Sequence, residues 1–299
     1  VGFKLILLRK NFLFNRCFIY KVYETMSRPT FYNNLGFADP YGSTTKAVDA
    51  LFSRRGERPA SNGMVIVRVG QESKLLSETI DVLGRGECGT ASTAPDPLLD
   101  WVYAGEQKQS LCKPLASPPD ADRSAWFRWM AHYCAAFAFA RGGLYALVDP
   151  STGKVMAAAV TGPPKTISFG RMSGGEMGDN VRAAGMSIGQ DILANNLRMR
   201  VLGGCQHSLQ ESQGLDKSSD FLYVVMFSTR PDAQGKGCGK ALLKFLGEVA
   251  DADGVVSFLE TAGERNVGFY RTDGYQEVAR EKCASFEGSG VGMLRKPSS

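Results

Sequence analysis

The sequence predicts an α/β fold, one domain over residues 63–299 with a central sheet flanked by helices. Strand-like runs alternate with stretches of helical period, most clearly over residues 221–261. Two apolar runs are joined by Asp149-Pro150-Ser151-Thr152-Gly153, the chemistry of a tight hairpin. No composition change marks a second domain after Met64. At 299 residues, 43% hydrophobic and 22% charged, the chain has apolar material for a sizeable core.

Residues 1–62 read as an N-terminal extension, and residues 27–62, polar and rich in Gly, Ser, Asn and Arg, as a disordered lead-in. MVIVRVG (Met64–Gly70) is the first strand by its β-branched content. ESKLLSETIDVLG (Glu72–Gly84) follows as a helix, with Leu75, Leu76, Ile80 and Leu83 at helical spacing. An irregular section from Gly86 to Asp122 holds most of the prolines, with Trp101 and Tyr103 in its middle. Ser124–Arg141 is a helix with Trp126, Met130, Cys134 and Phe137 on one face, stopped by Gly142-Gly143. LYALVD and KVMAAAVTG form the hairpin; residues 163–190 read as loop and residues 191–204 as helix. There follow strand Phe221–Ser228, a glycine-rich loop, helix Lys240–Ala250, strand Val255–Thr261 and short helix Asn266–Arg271. Two strands near Gln276–Phe286 and Gly290–Leu294 close the chain.

Charge and cysteine usage remove several function classes. The net charge is +5, but Lys4, Arg9, Lys10, Arg16 and Lys21 against Glu24 place nearly all of it in the first 25 residues. The remaining body offers no basic footprint for a nucleic acid. Seven scattered cysteines form no C-x-x-C pair, so neither a metal site nor a disulfide framework is expected, and a reducing, cytoplasmic setting is. The two histidines, His132 in an apolar helical run and His207 in a polar segment, earn no ligand or catalytic role. The first 25 residues are apolar but repeatedly broken by Lys, Arg and Asn, so a membrane span of about 20 apolar residues is not available. They are basic and acid-poor, as an organelle presequence is; the favoured reading is a functional chain that begins at Met26.

The chemistry concentrates in TRPDAQGKGCGKALL (Thr229–Leu243). Gly235, Gly237 and Gly239 alternate between a strand and a helix, where a backbone without Cβ atoms can curl several N–H groups into one concavity. The helix N-terminus adds unpaired N–H groups and the positive end of its dipole, a cradle for a pyrophosphate with Lys236, Lys240 and Lys244 as point charges. The nucleotide-triphosphate loop is excluded, because Gln234 stands at its first glycine and Ala241 replaces the magnesium-binding hydroxyl. The dinucleotide fingerprint fails as well, with Lys240 or Leu242 where its third glycine belongs.

What remains is Q-x-x-G-x-G, met by Gln234, Gly237 and Gly239, which resembles the acetyl-CoA pyrophosphate loop of the GNAT N-acetyltransferase superfamily. LETAGERNVGFYRTDGYQEV (Leu259–Val278) resembles that superfamily's later motif, through Asn266, Phe269, Tyr270, Gly274 and Tyr275. The pair looks like the puromycin N-acetyltransferase branch, departing from it at Gly268, where Pro is common, and at Asp273, where an apolar residue is usual. The resemblance implies a mixed sheet splayed between two strands, and an acyltransferase that moves an acetyl group from acetyl-CoA directly to a primary amine. A small-molecule acceptor is expected; a peptide or protein amine, or a non-catalytic acyl-CoA-binding module, is the alternative. On this resemblance Met226, Phe227 and Ser228 line the pantetheine arm, with a backbone N–H near Phe227 polarising the thioester carbonyl. Gln234, Gly235, Lys236, Gly237, Cys238, Gly239 and Lys240 hold the pyrophosphate, Cys238 by packing beneath it, and Asn266 bonds near the cofactor. Tyr270 is the acid for the departing thiolate; Glu260, near the gap, is nominated as base or substrate anchor beside a purely structural role. Trp101, Tyr103, Trp126 and Trp129 are offered to the acceptor pocket or the core.

Overall fold

The computed structural model describes residues 46–53, 57–70, 73–88, 142–162, 204–206, 208–215, 220–282 and 286–298, with separate residues between 96 and 138. Its strands are β1 (Glu57–Pro59), β2 (Val65–Arg68), β3 (Leu144–Val148), β4 (Val155–Gly162), β5 (Phe221–Thr229), β6 (Val256–Ala262), β7 (Gln276–Glu281) and β8 (Gly290–Arg295). They form one sheet in the order β1-β2-β3-β4-β5-β6-β8-β7. Every pairing is antiparallel except β5 with β6, so the sheet is mixed, and the helix between those two strands makes the crossover. The four helices with fixed bounds are α1 (Lys46–Ala50), α2 (Leu76–Cys88), α3 (Cys238–Asp253) and α4 (Glu264–Arg271). Helical residues also occur between 127 and 138 and at 204–206 and 208–211.

The two faces of the sheet carry separate apolar clusters. On one, Leu222, Val224 and Leu259 meet Leu242, Leu243, Phe245, Leu246 and Val249 of α3, together with Val267 of α4. On the other, Phe221, Tyr223 and Phe258 pack with Leu209 and Leu215. Strand β3 is buried throughout and β4 nearly so, which is why both read as continuous apolar runs rather than alternating ones. The hairpin forms on its turn chemistry: the Asp149 carboxylate accepts from the Ser151 amide at 2.9 Å, and Gly153 takes φ 69°.

Several sequence-based boundaries shift. Helix α2 continues through Gly84 and Gly86 to Cys88, where a stop at Gly84 was expected. Both glycines serve close packing: a Cβ on Gly84 would lie 2.8 Å from Arg128 Cα, and one on Gly86 would lie 2.5 Å from Ser228 Cβ. The stretch read as lead-in contributes α1 and the edge strand β1, which pairs Glu57 with Val67 and Pro59 with Val65. On the helix expected over Ser124–Arg141, the described buried residues are Phe127, Met130, Ala131, Cys134, Ala135 and Ala138, a wider stripe than the one read from spacing. Trp101, Tyr103, Trp126, Trp129 and Phe137 lie outside the residues whose side chains are described, as do both histidines. Arg295 supplies the reason for a carboxylate at 273: its Nε lies 3.9 Å from Asp273, while its terminal nitrogens bind Asp251 at 2.7 and 2.9 Å.

Candidate active site

The site begins with an irregularity in β5. Thr161 of β4 pairs with Val224, but its neighbour Val160 pairs with Met226, so Val225 is an extra residue, a β-bulge. At the same place β5 parts from β6: their last pair is Val224 with Leu259. Beyond it, Met226–Thr229 pair with β4 alone and Glu260–Ala262 with β8 alone, which opens the sheet into a cleft. The bulge also reverses which side chains face which layer. Before it the even residues Leu222 and Val224 belong to the α3 cluster; after it the odd residue Phe227 does.

The bulge fixes the direction of the backbone as well. The Arg230 amide donates to Met156 O at 2.9 Å, so by the alternation of an antiparallel ladder Ser228 and Met226 also point their N–H and C=O groups at β4. Phe227 and Thr229 point theirs into the cleft. Gln234 Nε2 donates to the Thr229 carbonyl at 3.3 Å, and the Phe227 N–H and C=O are turned toward the opening. Of the three strand residues singled out in the sequence, Phe227 thus faces the cleft through its main chain. Met226 is buried, and Ser228 donates its hydroxyl to Leu83 O of α2 at 3.2 Å.

The glycine loop follows a short turn, Pro231–Ala233. Gly235 and Gly237 take φ 74° and 77°, a region that costs other residues, and Gly237 is the N-cap of α3. The helix therefore starts at Cys238, inside the glycine run, and not at Lys240 as spacing suggested. Ala241 is the first residue of its opening turn to bond backward, to Gly237 O at 2.9 Å. The amides ahead of it remain unpartnered within the helix, as at any helix start. Gly235, Lys236, Gly237 and Lys240 are exposed, and a Cβ on Gly235 or Gly237 would meet nothing within 4 Å. The loop is open at Gly235 and Gly237, which leaves room for a pyrophosphate, but of the amides expected to face it those of Gln234 and Lys236 donate instead to Pro231 O and Ala233 O, each at 3.3 Å. Gly239 has a different reason for its identity: a Cβ there would lie 2.6 Å from Thr229 Oγ1 and 3.3 Å from Phe269 Cζ. Its bare backbone lets the first turn of α3 rest on the end of β5 and on α4 together. Cys238 is fully buried beside it, and burial pushes its thiol up against the opposing pull of Lys236. A thiol so placed is a packing group.

Across the cleft, Gly263 with φ 82° turns β6 into α4, and Asn266 Nδ2 donates to Ala262 O at 3.1 Å, tying strand end to helix start. The Tyr270 ring lies on the α3 side of the sheet, with centroids 6.3 Å from Phe227, 5.2 Å from Phe269 and 6.0 Å from Tyr275. Glu260 shares its side of β6 with Phe258, the opposite face. There Gln210 Nε2 donates to Glu260 Oε1 at 2.9 Å and Tyr223 Oη donates to Oε2 at 2.6 Å. Burial pushes the Glu260 carboxyl up to about 7, with the hydrogen bonds from Tyr223, Gln210 and the Glu260 backbone pulling it back. Burial and the neighbouring Glu260 charge drive the Tyr223 hydroxyl well above its usual range. The two titratable groups named from sequence thus flank the same cleft from opposite faces. Tyr223 and Gln210 were not found by sequence reasoning. Tyr223 had a faint signal, since it lies on the strand beside Glu260 with matching parity; Gln210 had none.

Residues 194–275 match the model of the acetyltransferase (GNAT) family. No curated protein matches the chain. Among solved structures, arylalkylamine N-acetyltransferase 2 from Aedes aegypti is similar at 13% identity and TM-score 0.49, over 79% of this chain and 99% of that one. Drosophila melanogaster polyamine N-acetyltransferase is similar at 13% identity and TM-score 0.45, over 78% and 99% of the two chains. A Corynebacterium glutamicum protein described as histone acetyltransferase HPA2 and related acetyltransferase shares 17% identity at TM-score 0.45, over 78% and 96%. No helix among the described residues is long and apolar enough to cross a membrane, and no group of described side chains could hold a metal ion.

Proposed function

We propose that this chain, whose residues 194–275 match the model of the acetyltransferase (GNAT) family, transfers the acetyl group of acetyl-CoA to the primary amine of a small molecule. The observation that carries the reading is the cleft between β5 and β6, open beside the cradle of residues 234–240 and flanked by Tyr270 on one face and Glu260 on the other.

Acetyl-CoA supplies the activated acyl group. The amides of Gly235, Gly237 and the start of α3 hold its diphosphate, while the Lys236 amide closes the turn on Ala233 O at 3.3 Å. The Phe227 main chain binds along the arm, its N–H directed at the thioester carbonyl oxygen, where negative charge grows during transfer. Asn266, already bonded to Ala262 O, fixes the β6–α4 corner and offers Oδ1 to the arm. An alkyl ammonium has a pKa near 10, so the acceptor must lose a proton before its nitrogen can attack. Glu260, with a carboxyl that titrates at about 7, accepts that proton at neutral pH. Tyr270 returns a proton to the departing sulfur from the other face.

Calorimetric titration with coenzyme A, followed by thiol release from acetyl-CoA over 2-phenylethylamine, agmatine, spermidine and a short peptide, tests the reading. Binding with thiol release on one or more of the small amines is expected. Release on the peptide alone would reassign the acceptor class, binding without release would make the chain a non-catalytic module, and no binding would remove the whole reading.

A further inference from the structure

We propose that Gln210 and Tyr223 are positioning residues that hold the two oxygens of Glu260 separately, fixing the carboxylate toward the cleft while leaving it able to take a proton. The inference rests on the reading of Glu260 as the base. Gln210 Nε2 donates to Oε1 at 2.9 Å and Tyr223 Oη to Oε2 at 2.6 Å. A carboxylate has about four lone-pair sites. The Tyr223 and Gln210 donors, one on each oxygen, pin the group in plane beside a hydrogen bond from the Glu260 backbone, so of these sites one remains and the amine proton can be taken without breaking any of the three bonds. When that proton arrives, Glu260 becomes the neutral acid and the acceptor nitrogen keeps the electron pair with which it attacks; the proton then leaves to solvent.

The choice of donors is informative. A guanidinium or ammonium in the same place would orient the carboxylate equally well but would lower its pKa by about 1–3 units, leaving a poor base. Gln210 and the strongly protonated Tyr223 are neutral, so they supply geometry without adding positive charge. The groups facing this pocket agree. Strand β5 contributes Tyr223, the helical residues at 208–211 contribute Gln210, β8 places Gly292 opposite Glu260, and among the described residues Cys134 also acts on Tyr223. The two donors come from separate elements, 50 and 37 residues from Glu260 in sequence, so a carboxylate merely paired by chance with its own strand is not what is seen.

The test uses the full chain labelled with carboxyl-¹³C glutamate. The Glu260 resonance is identified by its loss in Glu260→Gln and titrated in the unsubstituted protein, in Tyr223→Phe and in Gln210→Met. The unsubstituted midpoint is expected near 7. Each variant loses a donor to the ionised form, so each midpoint is expected to rise by about one pH unit. A midpoint that stays put or falls in either variant overturns the proposal; Gln210→Ala replaces Gln210→Met if the latter does not fold. A contact that served packing alone, without donating to the carboxylate, would lower the melting temperature and leave the midpoint where it was. The titration needs neither acetyl-CoA nor an acceptor, so failure of the clamp is distinguishable from failure of the transferase reading, which shows as absent thiol release.

Discussion

The Tyr270 ring packs against three other aromatic rings, and a phenylalanine would keep those contacts while losing the hydroxyl. Its contacts with Phe269 at 5.2 Å and Tyr275 at 6.0 Å are edge-to-face and survive in phenylalanine. Tyr270→Phe is therefore expected to keep the coenzyme A affinity while thiol release falls by about a hundredfold, the range for loss of a general acid. Unchanged turnover in a stopped assay with the best amine would take Tyr270 out of the chemistry. At this scale the sequence was informative where a motif is local. Gln234, the three glycines, Asn266 and Tyr270 all lie in two short blocks, and the structure gathers both blocks at one cleft. Gln210 and Tyr223 act through contacts between distant segments, and spacing along the chain carries no trace of such a contact.

Among the elements, the junction of β5, α3 and α4 depends on a single missing methyl. Gly239→Ala would place a Cβ 2.6 Å from Thr229 Oγ1 and 3.3 Å from Phe269 Cζ, so the first turn of α3 must lift or the threonine must turn. Overpacking of this kind costs about 1–3 kcal/mol. If Thr229 Oγ1 is the obstacle, Gly239→Ala in a Thr229→Ala background should be less destabilising than Gly239→Ala alone. Urea unfolding of the four proteins gives the coupling directly, and additive effects would mean that Thr229 is not what excludes a side chain. The same junction explains why the start of α3 was misplaced from sequence. Gly237 and Gly239 look like loop residues by composition, yet one is the cap and the other belongs to the helix's first turn. Likewise Gly84 and Gly86 read as a stop but permit close approach of α2 to Arg128 and to β5. Glycine marks a missing side chain, and only tertiary contacts decide whether that serves a bend or a packing surface.

For the molecule as a whole, the cleft is a break in the sheet, opened where the β5–β6 pairing ends at Val224 and Leu259. The alternation of strand and helix over residues 221–261 was legible, and it is this pattern that allows the crossover and the parallel β5–β6 pair; the strand order, with β8 between β6 and β7, was not read from the sequence. The bulge at Val225 was not, since FLYVVMFS reads as an unbroken apolar run on either register. The energetic cost falls on Glu260. Its folded-state pKa, about 7, lies above the usual 4.5, so folding favours its protonated form. The stability this group contributes is full below about 4.5 and is lost as pH rises through about 7, beyond which the fold holds a partly buried anion. Glu260→Gln removes that ionisation. The amide can still accept from Gln210 and donate to the Tyr223 oxygen, so both partners stay bonded. The variant is thus expected to be more stable than the unsubstituted protein at pH 8 by an amount on the order of 2 kcal/mol, and to lose that advantage by about pH 4.5. Melting curves across this window measure the difference, and a gap that stays constant with pH would show that Glu260 carries no raised pKa in the folded chain. The same substitution should abolish the rise of thiol release through pH 7, so that stability gained and activity lost would follow one titration.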